Sequence, residues 1–402
     1  MRLAVWFDAV ACEVSASGRR ELAVAGTSVQ FARFALAVAE RFDAAVVLMR
    51  EAPEPDERFV SVPLPPSVTF VGLPHYPSLR QPWRVAAVVP HTLRRAVRAL
   101  RASDVAWLFG PHPLLPLLLA GVRGETQVVL GTRMPGMDYW RARAEGFSGR
   151  AALPLLALLD HVYRERWRDL PMTVVGPAIA KLYRRRPDNT LVHFVSLVAD
   201  REIDAAERRA AVTDRGARAG GGALVRLLCV GRLEPEKDPL LALDVFAELE
   251  RRRPGAFELL WAGDGRLRDA VATAARERGL ETRVTLLGDV EPHRLYELYG
   301  EVDLVLHTAR VEGVPQALLE ALGHGLPVVA GDVGGIRAAF GDTVDLVTER
   351  YPAAFADTVL AALASEQRDP ARRRRRFAFA REHSLEQESA RVAAFLRRAV
   401  VR

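Results

Sequence analysis

The segment 311–335, VEGVPQALLEALGHGLPVVAGDVGG, places acidic side chains and glycines around one short predicted helix. Pro315 is favourable as the first helical residue because an amide hydrogen there would have no helical partner, and Gly325 followed by Pro327 predicts the end of the helix. The beginning of a helix offers unpaired amides and the positive end of its dipole. We therefore expect an anion site at the amides of Gly313, Val314, Gln316 and Ala317.

A second segment, CVGRLEPEKDP at 229–239, carries two cations after a predicted strand. Arg232 follows Gly231 at the end of the strand, and Lys237 precedes the next helix. The chain has 56 basic residues but only two lysines, so Lys237 indicates a position that needs a compact ammonium. Two cations beside a helix N-terminus fit a diphosphate better than a single carboxylate. The alternative is that both are ordinary surface charges.

Two glutamates flank the predicted anion site. Glu320 lies inside the short helix among alanines and leucines, where a carboxylate can accept hydrogen bonds from a diol. Glu312 precedes the helix and is placed to contact a sugar bound beyond the phosphates. The alternative for Glu320 is an exposed carboxylate without a ligand.

Short β-rich runs alternate along the chain with amphipathic helical stretches, which is typical of α/β folds with parallel sheets. A first strand is predicted at 3–7, followed by a long loop, and an arginine-rich helix at about 90–101. The strand pattern starts again at 225–230, after a polar stretch that ends in three glycines.

These patterns predict two domains joined by a linker. We place the first domain at 1–205, a hinge at 206–222 and the second domain at 223–378. A C-terminal helix at 379–402 can cross back to the first domain.

Length and composition exclude several classes of protein. The 402 residues exceed one ordinary core, and 50% hydrophobic with 26% charged residues excludes a disordered chain. Two cysteines provide neither a disulfide framework nor an unaided zinc site. The apolar runs fall short of the roughly 18 to 20 residues that span a bilayer, and no signal peptide pattern opens the chain. We expect a soluble cytoplasmic protein, as a monomer or homodimer.

Positive charge is concentrated in the first half. Residues 1–200 carry 25 basic against 18 acidic side chains, whereas residues 201–402 carry 31 against 32. A basic surface attracts anionic lipid, nucleic acid or phosphorylated substrates. Because no nucleic-acid module or aromatic platform accompanies these charges, we expect no nucleic-acid partner. Contact between the basic half and a membrane surface remains open.

The motifs of the second half together resemble those of retaining glycosyltransferases of family 4, which have the GT-B architecture. The family's paired glutamates stand here as Glu312 and Glu320, its Gly-Arg-x4-Lys as 231–237, and its glycine pair as Gly334 and Gly335. The resemblance runs through residues 225–339. It implies two Rossmann-like, doubly wound domains that face each other across a cleft.

The resemblance also implies roles for individual residues. The second domain would hold a nucleotide-diphosphate sugar, with Arg232 and Lys237 on the diphosphate and Glu320 on the ribose. Glu312 and the amides of Val314 and Gln316 would lie at the sugar and β-phosphate, and Val290 beside the nucleobase. The sugar would pass to an acceptor hydroxyl with retention of anomeric configuration. No cofactor and no metal are expected, in keeping with the absence of any Asp-x-Asp pair from the sequence.

The first half carries weaker signals. His112, in FGPHP, resembles the histidine that such enzymes place near the donor sugar, and Gly26 and Arg133 are candidates for the acceptor side. Ile336 and Arg337 follow the glycine pair where the family often has an acidic residue. A sugar-nucleotide epimerase of the same architecture and a non-catalytic protein that binds nucleotide sugars are the alternative functions.

Overall fold

The computed structural model of this chain describes residues 1–16, 18–52, 54–56, 59–77, 81–122, 124, 126–133, 137, 153–183, 187–212 and 224–401. It divides into two compact units. The first comprises Met1–Val195 and Leu385–Arg402, and the second comprises Ser196–Ser384.

The strands described in the first unit form one sheet. They are β1 (Arg2–Ala16), β2 (Arg19–Ala25), β3 (Ala44–Glu51), β4 (Phe59–Pro63), β5 (Val68–Leu73), β6 (Val105–Phe109), β7 (Gln127–Thr132), β8 (Met172–Val175) and β9 (Thr190–His193). The parallel part has the order β5-β3-β1-β6-β7-β8-β9. The far end of β1 pairs antiparallel with β2, and β2 pairs antiparallel with β4. The buried residues of its strands make this sheet the centre of the unit's core.

The predicted loop after residue 7 is wrong, because β1 continues to Ala16. The register of β1 against β3 shifts between Trp6 and Val10, and beyond the shift β1 pairs with β2. A small apolar cluster stabilises this extension, since Cys12, Ala23 and Ala52 are buried together. Gly26 opens a single turn of 3₁₀ helix that leads into the next helix.

The helices described in the first unit before β9 are α1 (Val29–Ala39), α2 (Pro82–Arg101), α3 (Leu115–Gly121), α4 (Leu153–Arg166) and α5 (Pro177–Tyr183). Helix α2 begins before the predicted residue 90, and Pro90 lies inside it. Its earlier turns are helical because Val85, Val88 and Val89 pack against the core.

The strands of the second unit form a parallel sheet in the order β12-β11-β10-β13-β14-β15. They are β10 (Val225–Val230), β11 (Phe257–Ala262), β12 (Val284–Gly288), β13 (Leu304–His307), β14 (Val328–Gly331) and β15 (Asp345–Val347). If the strands are numbered in chain order within the unit, their order in the sheet is that of the Rossmann fold. In that fold the strand order reverses direction between the first and fourth strands. Ligands bind such sheets beyond the carboxyl ends of the strands at this reversal, which here lies between β10 and β13.

The helices described in this unit precede, connect and follow these strands. They are α6 (Asp200–Val212), α7 (Pro239–Arg252), α8 (Arg268–Glu277), α9 (Pro292–Glu301), α10 (Gln316–Gly323), α11 (Ile336–Phe340), α12 (Pro352–Arg368) and α13 (Pro370–Glu382). The two Rossmann-like α/β sheets confirm the predicted fold class. In the described part of the chain, no helix combines the length and apolar composition that a bilayer crossing requires.

The domain boundaries differ from the predicted ones. The predicted hinge at 206–222 starts inside α6, which belongs to the second unit because Ile203 and Ala206 are buried there; residues 213–222 lie outside the described residues. The last helix, α14 (Leu385–Val401), starts after the predicted residue 379 and packs on α1, β6, β7 and β9 of the first unit. Arg41 donates hydrogen bonds to Ser389 Oγ (3.0 Å) and to the Glu386 carbonyl (2.8 Å) of α14.

Candidate functional site

The loops after β10 and β13 bring Lys237 and Glu312 together at the reversal point of the second sheet. Lys237 ends a short 3₁₀ turn, Pro235–Lys237, and its ammonium donates to Glu312 Oε1 in an ion pair. His307 Nε2, at the end of β13, lies 3.1 Å from the same oxygen. An ammonium has three hydrogens, so its bond to Glu312 leaves Lys237 able to bind further acceptors.

The ionised form of Glu312 is strongly favoured. Burial would raise the pKa of this carboxyl, but the His307 hydrogen bond and the Lys237 charge together lower it to about 2. Glu312 is therefore a carboxylate at neutral pH, and it holds the ammonium of Lys237 in a defined position.

This shift predicts a pH dependence of stability. Because the pKa is depressed in the folded chain, the contribution of Glu312 to the free energy of unfolding is complete above its ordinary value of 4.5 and is lost as the pH falls toward about 2. Urea unfolding between pH 6 and pH 3 should therefore show a smaller loss of stability in Glu312→Gln than in the wild type. An identical loss in both proteins would contradict the assignment.

Two glycines allow the loops to approach closely. Gly334 has φ +57°, and a Cβ there would lie 1.9 Å from the Glu312 carbonyl oxygen, which accepts a hydrogen bond from Gly335 N (3.2 Å). Gly231 has φ +144°, and the Lys237 side chain passes over it at 3.4 Å from a hypothetical Cβ. The glycine pair and the Gly-Arg motif therefore hold the loops that carry Glu312 and Lys237.

Helix α10 differs slightly from its predicted bounds. Pro315 is the N-cap, so the helix begins at Gln316, and it ends at Gly323 because Gly325 adopts φ +65°. Gly313 and Val314 lie in the loop between Glu312 and the N-cap of this helix.

Glu320 is half-buried on α10 and is oriented by a residue that the sequence analysis missed. Tyr299, on α9, donates a 2.8 Å hydrogen bond to Glu320 Oε2. Burial raises the pKa of Glu320, and the bond from Tyr299 opposes this rise only in part. Glu320 therefore lies against protein rather than extending into bulk solvent.

The structure gives Arg232 and Val290 more peripheral positions. The Arg232 side chain is 53% exposed and donates to Glu236 Oε1 at 2.7 Å, so its partner is local. Val290 is half-buried between β12 and α9, after the edge strand of the sheet. The described contacts therefore join Lys237 to Glu312 but join neither Arg232 nor Val290 to that pair.

His112 lies in a buried polar cluster of the first unit that the sequence analysis missed. Its Nδ1 accepts from Leu114 N (3.1 Å), and its Nε2 lies 3.3 Å from Tyr76 Oη and 3.5 Å from Asp8 Oδ2. Asp8 Oδ1 also accepts from Arg50 Nε (2.7 Å) and from Tyr76 (3.0 Å). An acceptor role for Nδ1 places the ring proton on Nε2, facing Asp8.

The cluster also determines the charge of Asp8. Burial would raise its pKa, but His112, Arg50 and Tyr76 together hold that pKa well below the usual range. Both ring nitrogens of His112 therefore have hydrogen-bond partners within the first unit. One feature of the sequence pointed to this cluster: Asp8 directly follows the predicted strand 3–7, at its carboxyl end.

The two predicted acceptor-side residues have different surroundings. The Arg133 guanidinium, just after β7, lies 4.2 Å from the centre of the Phe31 ring, with Phe7 and Phe109 next to it. Gly26 is exposed at the start of its 3₁₀ turn.

Comparison with known proteins finds a family match in the second unit. Residues 224–381 match the family model for glycosyl transferases group 1. D-inositol 3-phosphate glycosyltransferase of Nocardia farcinica is 38% identical over 147 residues, which are 35% of this chain and 33% of that protein. The chain thus matches about a third of the length of its first curated relatives.

Solved structures are similar over nearly the whole chain. WaaG, a glycosyltransferase involved in lipopolysaccharide biosynthesis, has a TM-score of 0.65 at 17% identity and covers 98% of this chain and 99% of its own. Anabaena Alr3699/HepE, solved with UDP, has a TM-score of 0.63 at 16% identity, covering 99% and 100%. At these identities the likeness shows the fold, which is that of GT-B glycosyltransferases. Residues 224–381, in the second of two Rossmann-like units, are thus similar to the glycosyl transferases group 1 family.

Proposed function

We propose that this chain is a glycosyltransferase that moves a sugar from a nucleotide-diphosphate donor to an acceptor hydroxyl. The observation that carries the proposal is the meeting of Lys237 and Glu312 at the reversal point of the group 1 domain. This is where a Rossmann-like sheet binds its ligand. A compact cation in that place suits a diphosphate.

The proposed chemistry needs stabilisation of a leaving group. The bond between the anomeric carbon and the β-phosphate oxygen breaks, and negative charge develops on that oxygen. Lys237, Arg232 and the amides at the start of α10 are the groups that we assign to this charge. The acceptor hydroxyl forms the new bond on the same face, with retention, and its proton passes to the departing phosphate.

We assign the remaining contacts by residue type. Glu320 accepts hydrogen bonds from the ribose, Glu312 orients Lys237 and contacts the sugar, and Val290 lies toward the base. Arg133, a cation at the carboxyl end of β7, is assigned to the acceptor. His112 is given no catalytic step, because hydrogen bonds within the first unit occupy both of its ring nitrogens.

A thermal-shift screen over UDP, GDP, ADP, CDP and dTDP tests the proposal. A ligand at 100 times its Kd stabilises the folded chain by about 2.7 kcal/mol. UDP is the first candidate, because the neighbour HepE was solved with UDP. We expect at least one nucleoside diphosphate to raise Tm, followed by transfer from the matching sugar nucleotide. A folded protein that none of the five stabilises would contradict the proposal.

We also propose that the reaction is independent of a metal ion, with Lys237 and Arg232 supplying the positive charge. Transfer measured with and without excess EDTA should proceed at the same rate. The proposal would be contradicted if EDTA caused a large loss of transfer activity and added Mg²⁺ or Mn²⁺ restored it.

We further propose that α2 contacts an anionic membrane surface. This helix carries five arginines and no acidic residue, and Trp83 at its start is 67% exposed. Arg84, Arg94 and Arg98 are exposed. Each basic residue near an anionic bilayer contributes about 1 kcal/mol, and a tryptophan favours the interface.

Sedimentation with vesicles tests this contact. The protein should sediment with phosphatidylglycerol vesicles at low salt but not with phosphatidylcholine vesicles. Replacing Arg94 and Arg98 with glutamate should abolish the effect, whereas the same change at Arg276 and Arg278, exposed at the end of α8, should not. Equal sedimentation of both variants would contradict the assignment to α2.

A further inference from the structure

Asp238, next to Lys237, has an unusual backbone conformation. It lies between the 3₁₀ turn and α7 with φ +51° and ψ +56°, in the left-handed region. Among the described residues it is the one non-glycine residue with positive φ. Aspartate tolerates this region better than most side chains, and Asp238 is only 8% exposed.

Two arginines bind the buried carboxylate of Asp238. Arg310 donates from Nε to Oδ2 (2.9 Å) and from Nη2 to Oδ1 (3.1 Å), which is a bidentate pair. Arg350 donates from Nη2 to Oδ2 at 2.8 Å. Arg350 also donates to the carbonyls of Thr308 (2.8 Å) and Ala309 (2.7 Å), so it fixes the loop after β13 as well.

Further hydrogen bonds join the same two loops. The Thr308 hydroxyl shares its one hydrogen between the carbonyls of Lys237 (3.2 Å) and Asp238 (3.1 Å). Arg310 N donates to the Glu236 carbonyl at 2.8 Å. The turn that carries Lys237 is thus attached to the segment that leads into Glu312, and the carboxylate of Asp238 is the common acceptor for both arginines.

We infer that Asp238 is a positioning residue for the diphosphate site. Its carboxylate, held by Arg310 and Arg350, fixes the backbone of Lys237 relative to the loop of Glu312 and so places the ammonium on the diphosphate. Asp238 acts through Lys237 and does not itself contact the ligand. The inference rests on the proposed function, because it assumes that Lys237 binds a diphosphate. Small displacements of a positioned group cost as much as 100-fold in activity.

The variant Asp238→Asn isolates this role. Asparagine has the same shape and also tolerates the left-handed region, but it lacks the charge that holds two guanidinium groups. The matched control is Asp244→Asn on α7, where Asp244 forms an exposed ion pair with Arg278. Both variants are checked for folding by thermal unfolding.

The readout is calorimetric affinity for the nucleoside diphosphate that the thermal screen selects and for its monophosphate. We expect Asp238→Asn to weaken binding of the diphosphate by about 10-fold, which is about 1.4 kcal/mol, and to weaken binding of the monophosphate by much less. Asp244→Asn should leave both unchanged. In a Lys237→Ala background, Asp238→Asn should add no further weakening, because the two changes act through one group.

Three results would overturn the inference. These are unchanged diphosphate affinity in Asp238→Asn, equal weakening of diphosphate and monophosphate, or a full additional loss in the Lys237→Ala background. Failure of the wild type to bind any nucleoside diphosphate would instead refute the proposed function. If Asp238→Asn does not fold, Arg310→Gln, which removes a largely exposed partner, is expected to weaken the diphosphate selectively in the same way.

Discussion

Replacing Lys237 with alanine is expected to reduce kcat/KM for sugar transfer by about 100- to 1000-fold, the cost of removing one preorganised donor from a developing negative charge. The ammonium is held by Glu312, so the site is organised before the donor arrives. The measurement is nucleoside diphosphate release with the donor that the thermal screen identifies.

The chain provides a matched control for this prediction. Lys181, on α5 of the first unit, is the other lysine and is exposed, so Lys181→Ala should transfer sugar at the wild-type rate. Thermal unfolding of both variants separates lost chemistry from lost folding. Near-normal kcat/KM in Lys237→Ala would show that the leaving-group assignment is wrong.

Replacing Glu320 with alanine is expected to raise the Kd of the donor by about 10- to 150-fold, equivalent to a charged hydrogen bond of about 1.5 to 3 kcal/mol. The carboxylate is oriented by Tyr299, so Tyr299→Phe should also raise the Kd of the donor, but by a smaller factor. Calorimetric titration measures both effects. If Glu320→Ala bound the donor with wild-type affinity, the assignment of Glu320 to the ribose would be wrong.

The second unit was predictable because its signals are local. Strand runs alternate with helices, and the carboxyl ends of neighbouring parallel strands share one edge, so residues that follow β10 and β13 must lie near each other. The meeting of Lys237 and Glu312 follows from that rule. The extension of β1 was not predictable, because it depends on pairing with β2 and, through β2, with β4.

The partners that orient the site residues could not be read from the sequence. Arg310 and Arg350 lie 72 and 112 residues from Asp238, in a chain where almost every cation is arginine. Tyr299 lies 21 residues from Glu320 on a different helix. The partners of His112 were unpredictable for the same reason, because whole secondary-structure elements separate Asp8 and Tyr76 from it in the sequence. Only packing brings such residues together.

The contribution of the diphosphate to binding tests the account most directly. A calorimetric series of nucleoside, monophosphate and diphosphate, titrated into the wild type and into Lys237→Ala, measures what each phosphate adds. We predict that affinity rises most steeply at the second phosphate in the wild type and that most of this rise disappears in Lys237→Ala. A diphosphate that binds the wild type no more tightly than its nucleoside would contradict the account.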